Sequence, residues 1–288
     1  MSYLKYINKA SGESLPGITD VGNLSNIFVD TQGHDDNPGT LAQPYKTLAV
    51  ALAAVTALRK NVFLFPGTYT SAASLAWPTD VTDVLLSGMT EDPDSTVIQA
   101  SAGTEVVDIV PSAAIGANNF LAFFAGVMIE GDDGVRGVTI DNTNMTASKK
   151  LIVTFRDCTF GAETDTDRSI SWVHTGATDA PIKMYMHGRG LGANNIEGLV
   201  YIDPRHTDDR CKISGMNFEG GIQFGTTSIA SETEILSCIM KLAGGSGGGT
   251  NQLLRSVGCV SRTGGPTYAA AAKGDFITTG SEALLSFT

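Results

Sequence analysis

The chain has 288 residues, a formal net charge of −11 at pH 7, 42% hydrophobic residues, 17% charged residues and 33 glycines. Ordinary apolar content with few charges excludes a disordered chain, and abundant glycine without helical spacing calls for many turns and short strands. The acidic balance argues against nucleic acid and against an anionic membrane surface as partners, because each asks for a basic face.

Met1 to Ala10 mixes Lys5 and Lys9 with isolated apolar residues, so neither an export signal nor a membrane span is expected. The four cysteines form no Cys-x-x-Cys pair, so they make neither a disulfide framework nor a thiolate zinc site. Folding in a reducing cytoplasm, without metal or cofactor, is the expectation.

Residues 1–26 read as an arm. Tyr3, Leu4, Tyr6 and Ile7 precede Ser11, Gly12, Ser14, Pro16 and Gly17 with no sustained period, and such a segment lies in solvent or along a partner. Those four apolar residues are the candidate interaction residues. Next come a short apolar strand, Ile27-Phe28-Val29, and a polar turn from Gly33 to Gly39. After Pro44, Leu48, Ala49, Leu52, Ala53, Val55 and Ala57 predict a helix over roughly Tyr45 to Leu58. Val62-Phe63-Leu64-Phe65 then reads as a buried strand stopped by Pro66-Gly67.

From about residue 80 the spacing changes. Apolar residues recur at offsets zero, three and five: Val81, Val84, Leu86; Val135, Val138, Ile140; Phe155, Cys158, Phe160; Ile196, Leu199, Tyr201. The set returns at Ile213, Met216, Phe218; Ile235, Cys238, Met240; and Leu254, Val257, Cys259. A helix favours three, four and seven, and a straight strand two and four, whereas two strands joined by a two-residue bend produce this set. The bends, among them Arg156-Asp157, Ser214-Gly215 and Leu236-Ser237, are polar or glycine with one exception, as an outward corner requires. Later copies begin about 20 residues apart, a coil length that suits a β-solenoid.

The segment Ile27 to Thr70 resembles the N-terminal part of pectate-lyase-like right-handed β-helix proteins. The resemblance rests on Phe28-Val29-Asp30, Pro38-Gly39-Thr40, Pro44-Tyr45-Lys46-Thr47-Leu48 with Ala51 and Ala54, and Val62-Phe63-Leu64-Phe65-Pro66-Gly67-Thr68-Tyr69. It implies an all-β, right-handed parallel β-helix with one capping α-helix over its N-terminal end, where an open solenoid would expose apolar core and strand edges. The organisation expected is an arm over 1–26, a capping segment over 27–70, and coils with the C-terminal end over 71–288. The superfamily includes polysaccharide lyases, glycoside hydrolases and phage tail or capsid-surface proteins, so the fold leaves function open.

Glycoside hydrolysis needs two facing carboxyl groups. Asp132, Asp133, Asp141, Asp157, Glu163, Asp165 and Asp167 crowd together, and adjacent coils could stack Asp141 near Glu163 or Asp165; solvated loop and corner positions account for them better. His187-Gly188-Arg189 resembles a fragment of the hydrolase branch's motif, without its upstream paired acids. Lyase chemistry would draw on Arg205, Arg210 and Lys212 beside Asp203, Asp208 and Asp209, which also suit loop ion pairs. His34-Asp35-Asp36-Asn37 reads as an Asx-rich turn, Gly244 to Gly249 as a flexible loop, and Cys158, Cys238 and Cys259 as buried inert thiols. Only two tryptophans, Trp77 and Trp172, offer platforms for sugar.

No catalytic residue is therefore assigned, and the chain leans away from being an enzyme. The resemblance and the arm together lead to an expected virion structural protein of a tailed phage, a capsid-surface decoration (cement) protein or short fibre. Homotrimers are implied by that branch, with the arm reaching shell proteins and the protein made in the host cytoplasm. The alternative is a tailspike-type polysaccharide depolymerase.

Overall fold

The computed structural model describes residues 25–101, 105–113, 115, 118–131, 135–146, 148–161, 168–174, 180–189, 194–224, 232–240, 253–257, 260–261, 267–268, 276–279 and 286–287. The arm, with Tyr3, Leu4, Tyr6 and Ile7, lies outside them.

The chain winds as an all-β, right-handed parallel β-helix. Each turn lays one strand in each of three sheets, as in Leu151–Arg156, Thr159–Gly161 and Arg168–Val173. Among the described residues the first sheet has ten strands, the second eight and the third six, and the strand pairs are parallel throughout. Alternation sends every second side chain inward. In the third sheet Leu75, Val107, Val138, Ile170, Val200 and Ile222 stand in one buried row, rung upon rung. In the first sheet Phe124 stacks on Phe155 with ring centroids 5.0 Å apart, and Trp77 closes on Phe124 at 4.5 Å.

At Phe155, Ile213 and Ile235 the zero-three-five spacing is explained by the corner between the first and second sheets. Its second bend residue adopts the left-handed conformation at Gly126 (φ 59°), Asp157 (φ 54°), Gly215 (φ 67°) and Ser237 (φ 50°). One such residue turns the chain sharply, so the next side chain points back inward. Cys158, Met216 and Cys238 are accordingly buried. Phe124, Val127 and Ile129 form a further copy, all buried, that the sequence reading passed over.

Three triples are corrected. The bend residues Arg136-Gly137 lie within the strand Arg136–Asp141 and Arg255-Ser256 within the strand Leu253–Val257, where Ser256, not Leu254, is paired with Ile235. At Ile196, Leu199, Tyr201 the inward residues of the last strand are Val200 and Ile202, while Leu199 and Tyr201 are half-buried. This bend joins the second sheet to the third, and pairing with the previous strand slips between Arg168 and Ile170. An irregularity of that kind changes which residues face the core.

The helix is also shorter than expected, α1 at Leu48–Ala53. Tyr45 is spent elsewhere: its N–H donates to Phe28 O (3.0 Å) and its carbonyl accepts from Asp30 N–H (2.9 Å). Asp35 fixes the helix start, accepting from Lys46 N–H (3.1 Å), Thr47 N–H (2.8 Å) and Thr47 Oγ1 (3.0 Å), and Thr47 caps the first turn through Val50 N–H. Leu48, Ala51 and Leu52 face the solenoid, and α1 packs on the strands Asn26–Val29, Gly67–Ser71 and Leu75–Ala76. Beyond Ala54 a tight turn joining Thr56 and Arg59 ends the helix.

Candidate functional site

The outward face of the third sheet carries Asp108, the one carboxyl group among the described residues whose pKa is clearly shifted. Register places Ala76, Asp108, Thr139, Ser171 and Tyr201 in one outward row. Glu105 is paired in register with Arg136 at one side of the row, and Asp141 with Val173 at the other. Asp141 is two residues beyond Thr139, the partner of Asp108. With strands about 4.8 Å apart and a rise of about 3.3 Å per residue, the Cα atoms of Asp108 and Asp141 lie about 8 Å apart.

Partial burial of the Asp108 carboxyl, then the negative charges of Glu105 and Asp141, push its pKa up to about 6. Asp141 accepts from Thr143 N–H at 2.8 Å and from the Thr143 hydroxyl. Thr139, next to Asp108, is 8% exposed, and its Oγ1 is buried without a hydrogen-bond partner. At the other end of the row the Arg168 guanidinium lies 3.9 Å from the centre of the Tyr201 ring and donates to Ser171 Oγ at 3.4 Å. Asp203 accepts from Arg205 Nε (3.1 Å) and Nη2 (2.9 Å).

A buried polar ladder supports the site at the corner that follows the third sheet. Asn142, His174 and Asp209 come from three successive turns. His174 Nε2 lies 3.1 Å from one Asp209 oxygen and 3.2 Å from the other, and Asn142 Nδ2 lies 3.1 Å from His174 Nδ1. The Asp209 carboxylate also accepts three backbone N–H groups, Ile182 at 2.7 Å, Arg205 at 2.9 Å and His206 at 2.8 Å. With the histidine and aspartate side chains wholly buried, the ladder is a fastening between turns and not a nucleophile's relay.

The site differs from the one the sequence suggested. Asp141 belongs to it, but Asp108, Glu105 and Thr139 were missed. Nothing in the local sequence marks them, since only strand register brings Asp108 beside Asp141. Asp132, Asp133, Glu163, Asp165 and Asp167 lie outside the described residues. Asp157 is a corner residue, near Arg156 (3.8 Å) and Arg189 (3.7 Å). His187 shares a hydrogen bond with Ser214 Oγ (2.8 Å) on the first sheet, and a Cβ on Gly188 would meet Gly215 O at 2.3 Å. Close approach of two turns therefore accounts for that glycine. Arg205 and Asp209 serve the corner, and Lys212 pairs with Glu234 at 3.3 Å.

Cys158, Cys211 and Cys238 are buried, with burial pushing the Cys158 thiol up to about 12, while Cys259 and the loop Gly244–Gly249 lie outside the described residues. His34 and Asp36 form an exposed pair at 3.5 Å. Among the described residues no group of three or more His, Cys, Asp or Glu side chains could hold a metal ion. No helix among them is long and apolar enough to cross a membrane.

Residues 31–225 match the family described as "Protein of unknown function (DUF1565)". None of the curated proteins matches the chain. Among solved structures, a rhamnogalacturonan lyase is similar over 86% of this chain and 74% of its own, with 11% identity and a TM-score of 0.36. A pectin methylesterase from carrot is similar over 96% of this chain and 89% of its own, with 12% identity and a TM-score of 0.37.

Proposed function

The chain belongs to this family of unknown function, and from that premise we propose that it is a virion structural protein of a tailed phage, a trimeric capsid-surface decoration protein or short fibre. One observation carries the reading: the first sheet presents apolar side chains outward as well as inward. Leu85 is paired in register with Phe123 and Leu121 with Ile152, all half-buried, as is Phe28, which covers the buried Phe63 at 5.6 Å. The solenoid's own core does not use these rungs. Such a surface suits cover by another copy of the chain, as in a trimer. The arm, with Tyr3, Leu4, Tyr6 and Ile7, would lie on shell protein. The protein would be made in the host cytoplasm and reside in the virion.

Deleting residues 1–26 tests the attachment. The truncated protein should keep its β-rich circular dichroism and lose particle binding. Full occupancy by the truncated protein would refute the arm's role.

A second reading, a tailspike-type polysaccharide depolymerase, draws on Asp108. A carboxyl with a pKa of about 6 beside Asp141 suits a general acid facing a second carboxylate. It requires release of oligosaccharide from host capsule or lipopolysaccharide, abolished by Asp108→Asn in a protein that still folds. No release by the native chain would remove this reading.

A further inference from the structure

Acceptors without donors stand together on the third sheet. Val138 and Ile140 fill the core, so Thr139 between them points out of the sheet, opposite Asp108 on the neighbouring strand and on the same side as Asp141. Thr139 is 8% exposed, and its Oγ1 has no hydrogen-bond partner. Among the described residues the Asp108 carboxyl takes no hydrogen bond and no ion pair. Asp141 spends Oδ1 on the N–H and hydroxyl of Thr143, and its Oδ2 accepts nothing among those residues. On the far side of Asp108 the paired residue is Ala76, exposed and too small to cover the carboxyl.

The cations of this face are placed elsewhere. Arg136 stands opposite Glu105, the Arg168 guanidinium lies over Tyr201 and on Ser171, and Arg205 holds Asp203. The charges that act on Asp108 are those of Glu105 and Asp141, both negative. A buried hydroxyl without a partner costs stability, and carboxylates brought together repel, so a cation that donates hydrogen bonds relieves both. Donor count selects the cation. Calcium takes roughly six to eight oxygens, and among the described residues no group of three or more His, Cys, Asp or Glu side chains could hold a metal ion. A primary ammonium group has three N–H donors, one for each of Asp108, Asp141 and Thr139. The Cα atoms of Asp108 and Asp141 lie about 8 Å apart. Between two such short side chains one nitrogen bridges with hydrogen bonds of about 2.8 Å.

We propose that Asp108, Asp141 and Thr139 form a binding site for a primary ammonium group, carried on an amino sugar or on a free polyamine. As a substrate class the amino sugar rests on the depolymerase reading, whereas the binding site itself needs no bond cleavage.

The test is calorimetric titration of the full chain at neutral pH and physiological ionic strength, where diffuse attraction of a cation to an acidic protein is screened. The probes are a glucosamine tetrasaccharide, its fully N-acetylated counterpart and putrescine. The native chain should bind an amine probe and not the acetylated one, whose nitrogen carries no charge. Binding of the glucosamine oligomer alone places the ammonium on a sugar, and binding of putrescine alone places it on a polyamine. The double variant Asp108→Asn/Asp141→Asn should bind at least about tenfold more weakly, and Thr139→Val about threefold more weakly. Asp36→Asn, which removes an exposed acid beside His34, should bind as the native chain does. Retained β-rich circular dichroism and a cooperative melt establish that the double variant folds. If it does not fold, Asp108→Asn and Asp141→Asn are read singly, each with a loss of about threefold or more. Equal affinity in native chain and variants, an equal loss in Asp36→Asn, equal binding of the acetylated oligomer, or no binding of either amine overturns the proposal. Ammonium binding without oligosaccharide release removes the depolymerase reading and leaves the site standing, and release without ammonium binding does the reverse.

Discussion

Asp108 shows how one position on a sheet acquires chemistry from its neighbours. Its row is otherwise small or neutral up to Tyr201, and its half-buried carboxyl must ionise beside Glu105 and Asp141. The folded chain holds this proton more tightly than the unfolded chain, where the pKa is near 3.8. The stabilising contribution is therefore complete below pH 3.8 and is lost as pH rises through about 6. Asp108→Asn should then raise stability at pH 7.5 by up to about 1 kcal/mol, a figure reduced for solvent screening of a half-exposed group, and should change nothing at pH 3.5. Chemical denaturation at the two pH values measures it, and an equal effect at both would refute the perturbed carboxyl. The sequence named Asp141 as a candidate but had no means to name Asp108. The two are 33 positions apart, and only the pairing of Asp108 with Thr139 makes them neighbours.

At the scale of elements, the corner between the first and second sheets recurs because one left-handed residue there redirects the strand. A Cβ on Gly126 would stand at ordinary van der Waals distance from Thr90 O (3.4 Å) and Gly88 O (3.9 Å), so the cost of substitution begins with the left-handed backbone. Gly126→Val should lose about 2 kcal/mol, and Gly126→Asn less than about 1 kcal/mol, since asparagine tolerates the left-handed region. Thermal melting of the two variants checks this order. Asp157 and Ser237 occupy the same conformation without being glycine, and Asp157 is held there between Arg156 and Arg189. The helix is the counter-case. Its propensity extended over Tyr45 to Leu58, but Tyr45 pairs with the first strand and Asp35 anchors the start at Thr47, so tertiary hydrogen bonds shortened it.

For the whole molecule, a solenoid is a one-dimensional stack in which each turn contacts its neighbours, so ties that run across several turns govern how it unfolds. The ladder of Asn142, His174 and Asp209 is such a tie, and the Asp209 carboxylate also collects three backbone N–H groups. Asp209→Ala should cost about 3 kcal/mol or more, because it strands the buried His174, the buried Ile182 N–H and two part-buried backbone donors together. Denaturant titration reads the loss, and a change under about 1 kcal/mol would mean the turns hold without it.

The sequence by itself determined the coil: its inward spacing, the polar bends, the buried Cys158 and Cys238, and the capping motif near α1. These are local consequences of side-chain alternation and turn chemistry, written within five or six residues of one another. Tertiary structure alone decided which turns stack on which, and with them the Asp108–Asp141 neighbourhood and the buried ladder. Loops of unequal length separate the strands, so rung-to-rung register is set by the packing of whole turns and not by any short stretch of chain.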